Sequence, residues 1–256
     1  MTPGHYTALL LAGVRPGGDP FAESHGVPAK ALIPVAGEPM IARPVKALLD
    51  SPQVGSVRIL TQRPDLLEGA VPADARVSFG ASGATIAATL QDILAEPATS
   101  YPLLVTTADH ALLTPAMIAD FCTKAAGADL VVGVVERRAL MARLPSSRRT
   151  WIALRGGVYS GANLFALGSP QAAKAVSLWR SVEQDRKKGW KLLAALGIPG
   201  LLGILRVWNL ETVTRAIGSR LGLNARAVVM ADPIAAVDVD KPADLALAEA
   251  ILGGNA

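Results

Sequence analysis

Four short stretches of the chain carry side chains that could handle a phosphate or a cation. In PAKALIPVAGEPMI, residues 28–41, Lys30 sits among small apolar residues, and Pro34, Gly37 and Pro39 follow. An ammonium in so tight a segment can meet phosphate; the plainer role is a surface lysine whose stem lies along apolar neighbours. In ALLLAGVRPGGDP, residues 8–20, an apolar run enters a glycine-rich loop. Backbone N–H groups of such a loop can point at an anion. The loop is neither a P-loop nor a dinucleotide fingerprint. Lys30 could serve the same anion if the loop folds back. In LLVTTADHALLTPAMI, residues 103–118, an apolar strand ends at Asp109, just before a helix. Open α/β sheets bind ligands beyond the carboxyl ends of their strands. A carboxylate there can hold Mg²⁺, a hard cation that also takes phosphate oxygens. In AAVDVDKPADLALAEAIL, residues 235–252, Asp238 and Asp240 alternate along what reads as a strand end. Both are expected to point to one side, and either could complete a divalent-metal site with Asp109. The plainer roles are caps: Asp109 for a turn, Asp240 or Asp244 for the last helix.

These residues need a scaffold that brings positions some 200 apart in sequence together. Strand-like runs occur at 6–13, 56–62, 75–80, 101–109, 128–136, 150–167 and 224–232. Helical patterns lie between most of them. Residues 39–51 read as a helix with Pro39 near its first turn. Residues 84–96 put Ile86, Leu90, Ile93 and Leu94 on one face. In 114–127, Thr114 is the expected N-cap, Pro115 the first helical residue and Gly127 the exit. Residues 241–254 form a closing helix. Alternating strands and helices predict a parallel sheet. Residues 150–167 break the rhythm, with two strand-like pieces around Gly156 and Gly157, and predict a hairpin or a bulged strand inserted into a mixed sheet. The fold class is α/β, Rossmann-like, with a mixed, mostly parallel central sheet flanked by helices.

Composition narrows the function. At 256 residues, the chain suits a single domain spanning 1–256, large enough to bury roughly 70–75% of its unfolded surface. One cysteine, Cys122, excludes an internal disulfide and a Cys-rich zinc site. The histidines at 5, 25 and 110 are too scattered for a His-based metal cluster. The net charge of +4 suits small anions or an anionic membrane surface. With aromatics at only 4% and no stacking motif, nucleic acid is not expected as a partner. Mean hydropathy is +0.36, high for a soluble protein, yet no apolar run reaches the ~18–20 residues of a spanning helix. The N-terminus lacks a basic region before its short apolar run and reads as a first strand. The expected location is the cytoplasm, including the inner face of the membrane.

Taken in order, the segments LLLAG, PAKALIPVAGEPMIARPVKAL, LLVTTADHALLTPAMI, YSGANLFAL and VDVDKPADLALAEAIL resemble the MobA-like and sugar-nucleotide NTP transferases, a GT-A-like nucleotidyltransferase family. The resemblance spans nearly the whole chain. It implies that Lys30 neutralises the triphosphate, that Leu11, Ala12 and Gly13 begin the nucleotide-cradling loop, and that Asp109 binds the metal. Asp238 and Asp240 both match late metal-ligand positions, and the choice between them stays open. Gly80, Ser82, Gly83 and Thr85 fall where the family contacts the base, and Gly161 and Asn163 where the acceptor binds. Two departures stand out. Arg15 comes early in the loop, with several residues inserted before Lys30, and is expected on the phosphate side. His110 follows Asp109 where the family often has a small residue or proline, which leaves room for altered metal geometry or an acceptor contact.

The implied reaction is attack by an acceptor phosphate oxygen on the α-phosphorus of an NTP, with Mg²⁺ or Mn²⁺ as cofactor and pyrophosphate as leaving group. CTP is preferred, for a phosphorylated small molecule or lipid headgroup. The alternatives are GTP chemistry of the molybdenum-cofactor kind, a GT-A glycosyltransferase, and a nucleotide-binding regulator without turnover. Against the glycosyltransferase, TADHAL has a single acidic residue where a DxD is expected. Residues 185–213 are basic, then apolar, and are interrupted by glycines and Pro199. They read as a helical insertion. Arg186, Lys187, Lys188 and Lys191, with Trp190 and Trp208 at the ends, could lie on a membrane surface through 186–208. The alternative is a helical hairpin packed on the sheet or in a homodimer interface.

Overall fold

The structure, a computed structural model, describes residues 5–14, 17–145, 147–183, 198–199, 202–203 and 205–254. Along these run the strands β1 (Tyr6–Leu11), β2 (Pro34–Val35), β3 (Glu38–Pro39), β4 (Val54–Thr61), β5 (Val77–Ala81), β6 (Leu103–Thr107), β7 (Leu130–Glu136), β8 (Ile152–Leu154), β9 (Gly157–Leu167) and β10 (Ala225–Val229). The helices are α1 (Pro20–Ser24), α2 (Ala42–Leu49), α3 (Pro64–Leu67), α4 (Ile86–Ala95), α5 (Pro115–Ala125), α6 (Arg137–Arg143), α7 (Ala173–Glu183), α8 (Leu210–Leu221) and α9 (Pro242–Leu252).

The central sheet has the order β10-β7-β9-β6-β1-β4-β5, with β8 paired to β9. β1 lies between β4 and β6 and is parallel to both, and β5 extends the parallel run beyond β4. β9 is antiparallel to β6 and β7. The expected hairpin is therefore present, and its long second strand makes the sheet mixed.

The period of two along β1 divides the core. Tyr6, Ala8 and Leu10 join one apolar cluster with Val45 and Leu48 of α2 and Ile118 and Phe121 of α5. Leu9 joins the opposite cluster with Leu90 and Ile93 of α4 and Val176 of α7. Each such leucine contributes ~1.5–3 kcal/mol by leaving water, so slipping β1 by one residue would exchange the two faces and is strongly disfavoured.

Helix α4 begins where the Thr85 side chain accepts from the Ala88 N–H, and α5 where Thr114 accepts from Met117. Gly127, at φ +77°, takes the chain out of α5. One helix boundary differs from expectation. Residues 34–39 do not open α2; they form the β2–β3 hairpin. Ala36 and Gly37 both have positive φ, 49° and 82°, the signature of a tight two-residue hairpin turn. Helix α2 then starts at Ala42.

Of the basic and apolar segment at 185–213, Arg186, Lys187, Lys188, Trp190 and Lys191 lie outside the described residues. Within the described part, Leu205 and Val207 are exposed, and α8 begins at Leu210. Among the described residues, no helix is long and apolar enough to cross a membrane.

Candidate active site

Because β1, β4, β5 and β6 are parallel and in register, their carboxyl ends meet at one edge. A cleft of about 400 Å³ opens there. Its wall includes Leu11, Ala12 and Gly13 after β1, Gln62 after β4, Ser82, Gly83 and Thr85 after β5, and Asp109 after β6. Lys30 and Asp240 close it from outside the sheet.

Lys30 starts a short 3-10 turn, residues 30–32. Behind it, the Ile41 N–H donates to the Ala31 carbonyl and the Met40 N–H to the Ile33 carbonyl. The β2–β3 hairpin thus folds back and fixes the turn. This accounts for the proline- and glycine-punctuated sequence around the lysine: the punctuation builds the hairpin, and the hairpin aims the ammonium. The Lys30 Nζ donates to Asp109 Oδ2 at 2.7 Å and to Asp240 Oδ1 at 2.5 Å. Burial alone would lower the lysine's pKa. The two carboxylates outweigh that and raise it, so the group is a firm cation.

Asp109 is oriented from its own strand, since its Oδ1 accepts from Thr107 Oγ1 at 2.5 Å. Asp240 arrives from the far end of the chain. The Val239 N–H donates to the Asp109 carbonyl at 3.0 Å, which splices residues 237–240 onto the end of β6. The Asp240 N–H donates to Asp244 Oδ2 at 3.2 Å, and the Ala36 N–H to Glu249 Oε1 at 3.0 Å, so α9 braces both Asp240 and the hairpin that aims Lys30.

Asp238 is placed differently from the expectation of a shared side with Asp240. Residues 237–240 are not a strand in the sheet, and Asp238 does not line the cleft. It pairs with the Arg149 guanidinium and accepts from Asn163 Nδ2 at 2.9 Å. Burial would raise its pKa, but the arginine and the amide outweigh burial and hold it below the usual carboxylate range. Among the described residues, no group of three or more acidic, histidine or cysteine side chains gathers to hold a metal. The expected carboxylates divide into a pair at the cleft and one in a separate ion pair.

Other expected site residues also sort themselves. Leu11, Ala12, Gly13, Ser82, Gly83 and Thr85 line the cleft; Gly80, His110, Gly161 and Asn163 do not. Gly80 is explained by packing, because a side chain there would meet Arg58 Nε at 2.6 Å and Leu60 Cδ2 at 2.9 Å. Asn163 holds a left-handed backbone, φ 48°, in β9 and spends its amide on Asp238. His110 is 1% exposed, with Nδ1 3.2 Å from Thr106 Oγ1. Its Nε2 has no hydrogen-bond partner among the described residues. Burial pushes its pKa down to about 4, against the pull of Asp109 and Asp238, so the ring is neutral. Arg15 lies outside the described residues.

Sequence reasoning passed over three residues, two that hold the site and one that holds the separate ion pair. Gln62 accepts from the Val14 N–H at 2.8 Å and donates to the Gly83 carbonyl at 2.9 Å. Thr89, buried in α4, accepts from the Gly83 N–H at 2.9 Å and donates to the Thr85 carbonyl at 2.9 Å. Arg149 anchors Asp238. Gln62 could have been found as the first polar residue beyond a parallel strand. Thr89 could have been noticed as a hydroxyl on the apolar face of a helix.

A divalent cation fits this donor set. Asp109 and Asp240 present carboxylate oxygens close enough to share one ammonium. With Lys30 the three groups sum to one net negative charge, and a polyphosphate would meet repulsion without a further cation. Mg²⁺ is commonly held by one or two carboxylates plus substrate phosphates.

Residues 22–197 match the family model for the MobA-like NTP transferase domain. A hypothetical transferase from Thermus thermophilus is 32% identical, covering 94% of this chain and 99% of that one, with a TM-score of 0.76. At the level of fold alone, 4-diphosphocytidyl-2C-methyl-D-erythritol synthase from Anaerococcus prevotii DSM 20548 is 10% identical over 98% and 97% of the two chains, with a TM-score of 0.60. The CMP:2-keto-3-deoxy-manno-octonic acid synthetase solved with CTP is 13% identical over 99% and 100%, also at 0.60. No curated protein sequence matches the chain.

Proposed function

The chain belongs to the MobA-like NTP transferase family, and from that premise we propose that it moves a nucleoside monophosphate from an NTP to a phosphorylated acceptor, releasing pyrophosphate. The observation that carries this reading is the Lys30 ammonium bridging Asp109 and Asp240 in the cleft that the β1 loop lines.

The triphosphate would lie over the carboxyl ends of β1 and β6, against the backbone of Ala12 and Gly13. Lys30 would turn towards it and offset its charge. Ser82, Gly83 and Thr85 would border the base. Asp109 and Asp240, relieved of the lysine, would hold Mg²⁺ or Mn²⁺. Such a cation supplies Lewis-acid charge to the phosphoryl oxygens. An acceptor phosphate oxygen attacks the α-phosphorus in line, and the bond to the β-phosphate oxygen breaks. No covalent enzyme intermediate is needed, because holding the two reactants in line and screening their charges accounts for the acceleration. Unscreened phosphoryl anions would repel by ~4 kcal/mol per charge pair at 4 Å and an effective dielectric near 20.

CTP is placed first among the nucleotides. The apolar, basic stretch at 185–213 suits an acceptor that is a lipid headgroup or its phosphorylated precursor; GTP is second. A pyrophosphate-release assay with each NTP, Mg²⁺ and a panel of phosphorylated polyols and headgroup precursors tests the reading. Acceptor-dependent release with one NTP is expected. Absence of release with every pair would overturn it.

A further inference from the structure

Gln62 occupies a position in the sheet that no other cleft residue shares. It follows β4, which lies between β1 and β5. The loop after β1 and the loop after β5 therefore flank it on either side. On one side the Ala12 N–H donates to the Leu60 carbonyl at 2.9 Å; on the other the Ser82 N–H donates to the Thr61 carbonyl at 3.2 Å. Beyond those rungs the sheet ends, and the Gln62 side chain continues the connection. Its Oε1 accepts from the Val14 N–H, and its Nε2 donates to the Gly83 carbonyl.

We propose that Gln62 is a positioning residue that yokes the phosphate-side loop at 12–14 to the base-side loop at 82–85, so that triphosphate and base are held in one register. The inference rests on the NTP transferase reading for its ligand, but not for its geometry.

The residue type follows from the two partners. One loop offers a backbone donor and the other a backbone acceptor. A primary amide is the side chain that accepts at one end and donates at the other. Leucine does neither, and lysine and arginine have no acceptor. An ionised glutamate can accept from Val14 but would set an oxygen against the Gly83 carbonyl. The base-side loop is gripped from the other face as well, since Thr89 Oγ1 takes the Gly83 N–H and lies 3.1 Å from Ser82 Oγ. Residue 83 thus has its N–H fixed by α4 and its carbonyl fixed by Gln62. Among the described residues, the phosphate-side loop shows no matching hydrogen bond to a helix; the Val14 N–H donates to the Gln62 side chain. Cutting the yoke should free that loop first.

The test uses the full chain carrying Gln62→Leu or Gln62→Glu. Amide hydrogen exchange at Val14, without nucleotide, is expected to quicken about tenfold or more in Gln62→Leu and to stay near wild type in Gln62→Glu. Calorimetric titration then compares CTP with inorganic tripolyphosphate, both with Mg²⁺. The ratio of the two dissociation constants measures what the nucleoside adds to binding, and it is expected to shrink about tenfold in Gln62→Leu. Unchanged Val14 exchange in that variant, or an unchanged ratio, would overturn the proposal. If wild type binds no NTP, the transferase reading fails while the exchange experiment still decides the yoke.

Discussion

The two ends of the cleft are built by different physics. At the acid end, charged groups from residues 30, 109 and 240 converge on one another, and each is aimed by a neighbouring backbone or hydroxyl contact. At the loop end, neutral hydrogen bonds between backbone and the Gln62 and Thr89 side chains hold a glycine-rich chain. The acid end can act on charge, and it stores its own counter-ion in Lys30. The loop end works through shape and backbone groups. Removing one group from the acid end should therefore cost chemistry, and removing one from the loop end should cost fit.

The largest expected effect is at the acid end. Asp109→Ala and Lys30→Ala should each lower turnover about a hundred- to a thousandfold, the size of removing one preorganised charge-stabilising group. Steady-state pyrophosphate release checks this, with circular dichroism confirming the fold. Retained turnover in both variants would break the comparison.

Beneath the same end lies His110, whose effect should be on stability. Its folded pKa, about 4, lies below the unfolded value near 6.5. Between the two, the unfolded chain binds the extra proton. The stability it contributes is full above about pH 6.5 and is lost as pH falls towards the folded value. The loss should reach up to about 3 kcal/mol. Urea unfolding of wild type and His110→Gln at several pH values measures it as a difference. A parallel pH dependence in the two proteins would contradict the burial argument.

Asp238 and Asp240 sharpen the contrast over two residues. Asp238→Asn leaves Arg149 without its carboxylate at a site where both side chains are about 15% exposed. A loss of about 2–3 kcal/mol in unfolding free energy is expected, below the range for fully buried pairs. Asp240→Asn, at a side chain 56% exposed, should change stability by less than ~1 kcal/mol and act on activity instead. The reverse ranking would mean that the two carboxylates had been assigned the wrong way round.

At the loop end the smallest effect on turnover is expected. Thr89→Val removes the acceptor for the Gly83 N–H and should cost about 1–2 kcal/mol. It should raise KM for the nucleotide and leave kcat within about threefold.

The acid end was largely legible in the sequence, because charge is scarce in this chain and its carriers stand at strand ends and turns. Lys30 and Asp109 stood out by type and position, and the family resemblance supplied their expected roles. The choice between Asp238 and Asp240 could not be made, since alternation in sequence says nothing about a guanidinium arriving from residue 149. Pro39 misled for a related reason. Proline is at home in a first helical turn, but the Ala36-Gly37 turn claimed it for a hairpin. The sheet followed from strand spacing, and so did the interruption at 150–167, where the structure chooses the hairpin over a bulged strand. The loop end stayed hidden because its holders are neutral. An amide and a threonine do not announce themselves, and their importance appears only when β1, β4 and β5 lie side by side.

Binding of Mn²⁺ to the free protein, followed by electron paramagnetic resonance, tests most directly whether residues 30, 109 and 240 form one ion site. With the ammonium removed in Lys30→Met, the two carboxylates should take the metal about tenfold more tightly, a change of ~1.4 kcal/mol, and adding Asp240→Asn should abolish the gain. Binding no tighter than wild type in Lys30→Met, or a gain that survives the loss of Asp240, would contradict the account.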